Sequence, residues 1–154
     1  MQITKEEEAR FNELCLMAMD FARKDEVETL ESMIKSGLNV NLKDNKGNTL
    51  LMIAAYNGSL QTCKMLLEND ALVDEKNDRG QTPLAGVCFK GYLDIVRLLV
   101  EKGANIDENC GMGMTPYAFA IMFGRKEIAN YLLEKSQNKS SLKKMSSKIL
   151  GIFR

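Results

Sequence analysis

The chain contains no histidine and no tryptophan, and prolines number only two in 154 residues. Without histidine, the Ser-His-Asp triads, the histidine-bearing zinc sites and the commonest general base are all excluded. Aromatics make up only 6% of the residues. No apolar run approaches the length that crosses a bilayer. The four cysteines, Cys15, Cys63, Cys88 and Cys110, form no CxxC pair, and MQITKEEEARF has no apolar signal-like stretch. These absences lead to the expectation of a reduced, cytoplasmic protein. No phosphate loop, nucleophile elbow or metal-binding quartet occurs either, so the expectation is no enzyme, no catalytic residue and no metal ligand set.

What is present is a mixture suited to burying a core, 45% hydrophobic and 27% charged, with ten methionines. The formal net charge of 0 is unevenly distributed. Lys139, Lys143, Lys144, Lys148 and Arg154 fall after Ser136 with no acid among them, which leaves residues 1–135 at about −5. A nucleic-acid-binding body needs the opposite sign, so nucleic acid is not an expected partner.

The dominant pattern is an echo of 33 residues: GNTLLMIAA from Gly47, GQTPLAGVC from Gly80 and GMTPYAFAI from Gly113. A unit this short cannot bury its own apolar face and must stack on its copies. In each copy a threonine, Thr49, Thr82 or Thr115, stands where its hydroxyl caps a short helix. Pro83 and Pro116 follow at the first helical position, and Leu50 takes that place in the first copy. Gly58, Gly91 and Gly124 end the first helix, and a second helix carries Leu60, Met65, Leu66 and Leu67, then Leu93, Ile95, Val96, Leu98 and Leu99, then Ile128, Tyr131, Leu132 and Leu133. Gly86 in the middle first helix either costs about 1 kcal/mol of helix stability relative to alanine or serves a close backbone approach.

These segments resemble the ankyrin repeat family: its G-x-T-P-L-x-x-A-A opening, its second-helix start in Gly91-Tyr92-Leu93-Asp94-Ile95-Val96, and its ending in Lys102-Gly103-Ala104-Asn105-Ile106-Asp107. Met52, Ala85 and Ala118 stand where that family often has a capping-network histidine. A weaker copy precedes Gly47, with Asp25 opposite Gly58 and Lys35-Ser36-Gly37-Leu38-Asn39-Val40-Asn41 repeating the ending. The expected fold is therefore an all-α ankyrin-repeat solenoid of helix-turn-helix units with projecting turns. Its expected domain covers residues 1–135: an N-terminal capping repeat over about 4–46, opened by a Thr4/Glu7 capping box, then repeats 47–79, 80–112 and 113–135. Residues 136–154 form a basic amphipathic tail with Leu142, Met145, Ile149 and Ile152 near one face. The tail suits closing the last repeat, which is favoured because terminal repeats need cover, and less well a membrane contact or a docking segment.

The resemblance implies a concave surface, built from first helices and turns, that binds another protein. One register across the copies holds Arg23, Tyr56, Phe89 and Met122; its neighbour holds Lys24, Asn57, Lys90 and Phe123. Rigid aromatics such as Tyr56 and Phe89 are candidate anchors, and core packing is the competing explanation for them. Asp44, Asp74, Glu75, Asp78, Asp107 and Glu108 at the turns suggest steering of a basic partner, or ordinary solvated turns. The leading expectation is a non-catalytic protein-interaction adaptor that requires no cofactor, with Arg23, Tyr56, Phe89, Lys90, Met122, Phe123, Asp44 and Asp78 as partner-binding residues.

The chain also looks like the small bacterial ankyrin proteins associated with catalase and haem supply. That resemblance implies an alternative, haem binding and delivery to catalase, with Tyr56 as the ligand of haem iron and Phe89, Met19 and Met52 as apolar cover. Met19 and Met52 serve equally as core filler. Cys63 and Cys88 are expected in the core, whereas Cys110, in the Glu108-Asn109-Cys110-Gly111 turn, is the one thiol expected to face oxidants.

Overall fold

In the computed structural model, which describes residues 2–152, the chain is all-α and divides at Leu72/Val73 into two compact units. The first unit contains α1 (Lys5–Arg23), α2 (Val27–Lys35), α3 (Leu50–Tyr56) and α4 (Leu60–Glu68). In the second lie α5 (Pro83–Lys90), α6 (Leu93–Glu101), α7 (Pro116–Met122), α8 (Lys126–Lys135) and α9 (Lys139–Ile152). Helices of seven to ten residues are unstable alone, so their persistence depends on caps and on packing. In the first unit α1 packs on α3 and α2 on α4; in the second α5 packs on α7 and α6 on α8. Helix-turn-helix pairs are thus stacked within each unit, first helix on first helix and second on second.

The caps follow from the repeated threonine. Thr49, Thr82 and Thr115 accept from the backbone N–H groups of Met52, Ala85 and Ala118 at 3.2–3.3 Å. Pro83 and Pro116 occupy the first turn, where the missing N–H leaves no bond unmade. Thr4 and Glu7 form the reciprocal capping box that starts α1. The connectors close as tight turns, and among the described residues an antiparallel bridge between Lys43 and Thr49 ties the first of them.

Apolar residues at helical spacing fill each unit. Leu30, Leu50, Leu51 and Leu66 are fully buried in the first; Leu84, Val96, Leu99 and Leu132 in the second. Cys63 and Cys88 lie in these cores, and burial pushes the Cys63 thiol up to about 12. Desolvation raises the Cys88 thiol as well, so both stay protonated and inert.

Cys110 corrects an expectation. It is 2% exposed, with its sulfur 3.5 Å from the Thr82 hydroxyl and within 3.4 Å of the Glu108 carbonyl oxygen. Its register explains this: 110 aligns with Asp44 and Asn77, whose side-chain Oδ1 atoms turn inward and accept the backbone N–H groups of Asn48 and Gln81. Asn109 serves the turn instead, accepting from the Gly111 N–H, and the sulfur turns inward.

The tail segment becomes α9, packed on α7 and α8, with Leu142 buried and Met145 and Ile149 half-buried. Ile152 departs from the expected inward face and is 76% exposed. Arg154, the last of the tail's basic residues, lies outside the described residues.

Candidate functional site

The ends of the first helices carry the candidate surface, and bonds between successive repeats fix their position. The residue before each second helix leaves it without a side-chain cap: Ser59 and Arg125, for example, make no side-chain bond to their own helix. Instead the Ser59 hydroxyl donates to the Arg23 carbonyl at 3.0 Å in the first unit. In the second, Arg125 donates from Nε and Nη2 to the Phe89 carbonyl at 3.2 and 3.1 Å. These two carbonyls are equivalent in register, and each is the backbone of a sequence-predicted site residue.

In the second unit, Phe89 and Phe123 meet edge to face, with ring centroids 4.5 Å apart and planes at 84°. That geometry places the positive ring edge against the negative face and is worth about 0.5–1.5 kcal/mol beyond the area buried. The pair crosses the two sequence registers, since Phe123 comes from the row neighbouring that of Phe89. Phe89 is half-buried, Phe123 is 41% exposed, and Met122 beside it is also exposed. Lys90, half-buried, closes α5. A small apolar platform results.

In the first unit, Tyr56 ends α3 with 44% of its surface exposed, and Arg23 ends α1 exposed. Met19 and Met52 are buried in the core of this unit. A porphyrin face needs an open apolar wall. Two thioethers committed to packing do not supply such a wall.

The acids at the connectors divide into two kinds. Asp44 is a turn acceptor, taking N–H bonds from Lys46 and Asn48 at 2.9 Å. Partial burial raises its carboxyl, but the bonds from Asn48 and Lys46 outweigh it and hold the group below the usual aspartate value. Asp74 spans repeats, accepting the Asn105 N–H at 3.0 and 3.1 Å; desolvation dominates there and raises its carboxyl. Asp107 accepts from the Ser136 hydroxyl, and Glu108 pairs with Lys76 and Asn105. Asp78 remains an exposed acid at its turn.

Two sets of structural residues escaped the sequence analysis. Asn41 accepts the Leu72 N–H at 2.9 Å in the first unit, the counterpart of Asp74 with Asn105 in the second. Asp25, in the left-handed conformation at φ 59, accepts both the N–H and the hydroxyl of Thr62 at 2.8 Å. Signals for both existed in the register: 41, 74 and 107 all carry a side-chain amide or carboxylate, and Asp25 aligns with Gly58.

Among the described residues no group of three or more potential ligands is placed to hold a metal, and no helix is long and apolar enough to cross a membrane. No curated protein matches the chain. A family model described as Ankyrin repeats (3 copies) matches residues 14–110 and again 71–143. With most of its length covered by that model and its helical pairs stacked as described, the chain belongs to the ankyrin repeat family, a non-catalytic scaffold that generally mediates protein–protein interactions.

Proposed function

We propose that the chain is an adaptor that binds a protein partner through the ends of its first helices, with Phe123, Phe89 and Met122 as anchors in the second unit and Tyr56 in the first. The supporting observation is the Phe89–Phe123 pair: an exposed aromatic ring packed edge to face on a half-buried one, 4.5 Å between centroids. Rigid aromatics give contact area with little entropy loss, which is why they recur among the residues that dominate binding energy. Lys90 at the end of α5 and Asp78 at a turn of the same unit are the charged groups for polar selection at the rim.

The reading is tested by affinity capture of a partner and titration of the recovered complex. Phe123→Ala and Tyr56→Ala are both surface truncations, and either should weaken binding about tenfold or more with an unchanged circular dichroism spectrum. Unchanged affinity in both variants rejects this surface.

Haem delivery to catalase is the rival reading, and Tyr56 is the residue on which it depends. Buried Met19 and Met52 give the adaptor reading the advantage. A stoichiometric Soret shift on haem titration, lost in Tyr56→Phe, would reverse that preference.

A further inference from the structure

In the first unit α1 has 19 residues against seven in α3, about 28 Å against 10 Å of helix. Its buried residues, Ala18, Met19 and Ala22, all lie toward its C-terminal end. Phe11 falls on the same face, seven residues before Ala18, and is 55% exposed; Leu14, four before Ala18, is exposed as well. The core-facing stripe of α1 therefore continues past its partner as an uncovered apolar arm. The arm is acidic: Lys5–Met17 carries Glu6, Glu7, Glu8 and Glu13 against Lys5 and Arg10. Glu7 is engaged by Thr4, whereas Glu6, Glu8 and Glu13 have no ion-pair partner among the described residues.

In the second unit α9 has the complementary character. It contains four lysines and no acid, and Lys139, Lys143, Lys144 and Lys148 are all exposed without an ion-pair partner among the described residues. Leu142 fastens the helix to its unit, but Leu150 and Ile152 at its far end are exposed.

We infer that the uncovered arm of α1 in one copy docks α9 of a second copy, Phe11 and Leu14 meeting Leu150 while the net negative charge of the arm attracts the lysines of α9. An anionic membrane would satisfy α9 but repel the acidic arm. A second copy accounts for both surfaces at once, and their opposite charges coexist in a chain of formal net charge 0. The two patches differ, so each contact pairs the arm of one copy with α9 of another.

Sedimentation velocity of the full chain tests this directly. At low salt the apparent mass should rise above the 17.3 kDa monomer as concentration increases, and at about 0.5 M salt it should fall back, because exposed charges are then screened within a few ångströms. The triple change Lys143→Glu, Lys144→Glu, Lys148→Glu and the triple change Glu6→Lys, Glu8→Lys, Glu13→Lys should each give a monomer, and Phe11→Ser a weakened association. Mixing the two triple variants should restore association, because each then meets a surface of opposite charge. A wild-type chain that stays monomeric throughout overturns the inference. So does association that is insensitive to salt, or to both triple variants, and so does a mixture that remains monomeric. Binding of a monomeric wild type to phosphatidylserine vesicles, lost in the α9 triple variant, would assign the helix to a membrane surface instead and equally overturn it.

Discussion

The two units solve one stacking problem with different chemistry. A first-helix carbonyl is served by the Ser59 hydroxyl in the first unit and by the Arg125 guanidinium in the second. The next backbone N–H across the connector is accepted by neutral Asn41 in one and by Asp74 in the other. Where the chain turns between paired helices with positive φ, the first unit uses Asp25 at φ 59 as well as Gly58, whereas the second uses glycine both times, Gly91 at φ 91 and Gly124 at φ 68. The period therefore specifies which backbone group must be satisfied and leaves open the side chain that does so. That freedom lets the same positions differ in charge, exposure and response to pH.

The equivalence is tested most severely at its core. Leu66 and Leu99, 33 residues apart and both fully buried, should each lose about 2–5 kcal/mol on replacement by alanine, measured by urea unfolding. A loss much below that range at either position would mean its unit tolerates a cavity.

Asp25 and Gly91 come next. Asp25→Ala strands the buried Thr62 hydroxyl and forces alanine into the left-handed region, a cost of about 2–4 kcal/mol; Asp25→Gly keeps the backbone relaxed and should cost about half as much. Gly91→Ala places a Cβ 2.9 Å from Arg125 Nε, but that side chain can move, so the backbone strain of about 1–2 kcal/mol should dominate. Equal urea midpoints for Asp25→Ala and Asp25→Gly would show that φ does not matter there.

Smaller effects should separate the two carbonyl bonds. Ser59 is buried and Ser59→Ala should cost about 1–2 kcal/mol, whereas the exposed bond of Arg125 should cost less than about 1 kcal/mol on Arg125→Ala, because water replaces it. The reverse order in the same unfolding assay would contradict the assignment of burial to the first bond.

The smallest contrast is in acid. The Asp44 carboxyl is held low by its turn bonds, so its contribution to stability is present above the unfolded aspartate pKa and is lost as pH falls through the folded value. Asp74 is shifted the other way by desolvation. In the fold it binds its proton more readily, so its contribution is full below the unfolded pKa and is lost as pH rises through the folded value. Carboxyl NMR titration should find Asp44 below and Asp74 above the ordinary aspartate midpoint; the opposite order would refute the contrast.

The bonds within one repeat were legible in the sequence and those between repeats were not. Thr49, Thr82 and Thr115 cap helices three residues ahead of themselves, so their role shows in a short window. Ser59, Arg125, Asn41 and Asp25 act on groups 31 to 37 residues away, and their own neighbours suggest caps or solvated turns. Cys110 was misplaced for the same reason: a cysteine in a polar turn looks exposed until the register sets it beside Asp44 and Asn77. For the candidate surface, the sequence supplied Phe89 and Phe123 as members of separate rows. Only the fold brings their rings together, because pairing one residue of α5 with the C-cap of α7 depends on how the two first helices pack.

The central claim is that this scaffold recognises a protein through its exposed aromatic platform. Isothermal titration of a captured partner with wild type and with Phe123→Ala tests it most directly. The account predicts an affinity at least about tenfold weaker for the variant, with its unfolding free energy within about 1.5 kcal/mol of wild type, the upper value of an aromatic pair. Identical affinity for the two proteins would contradict it.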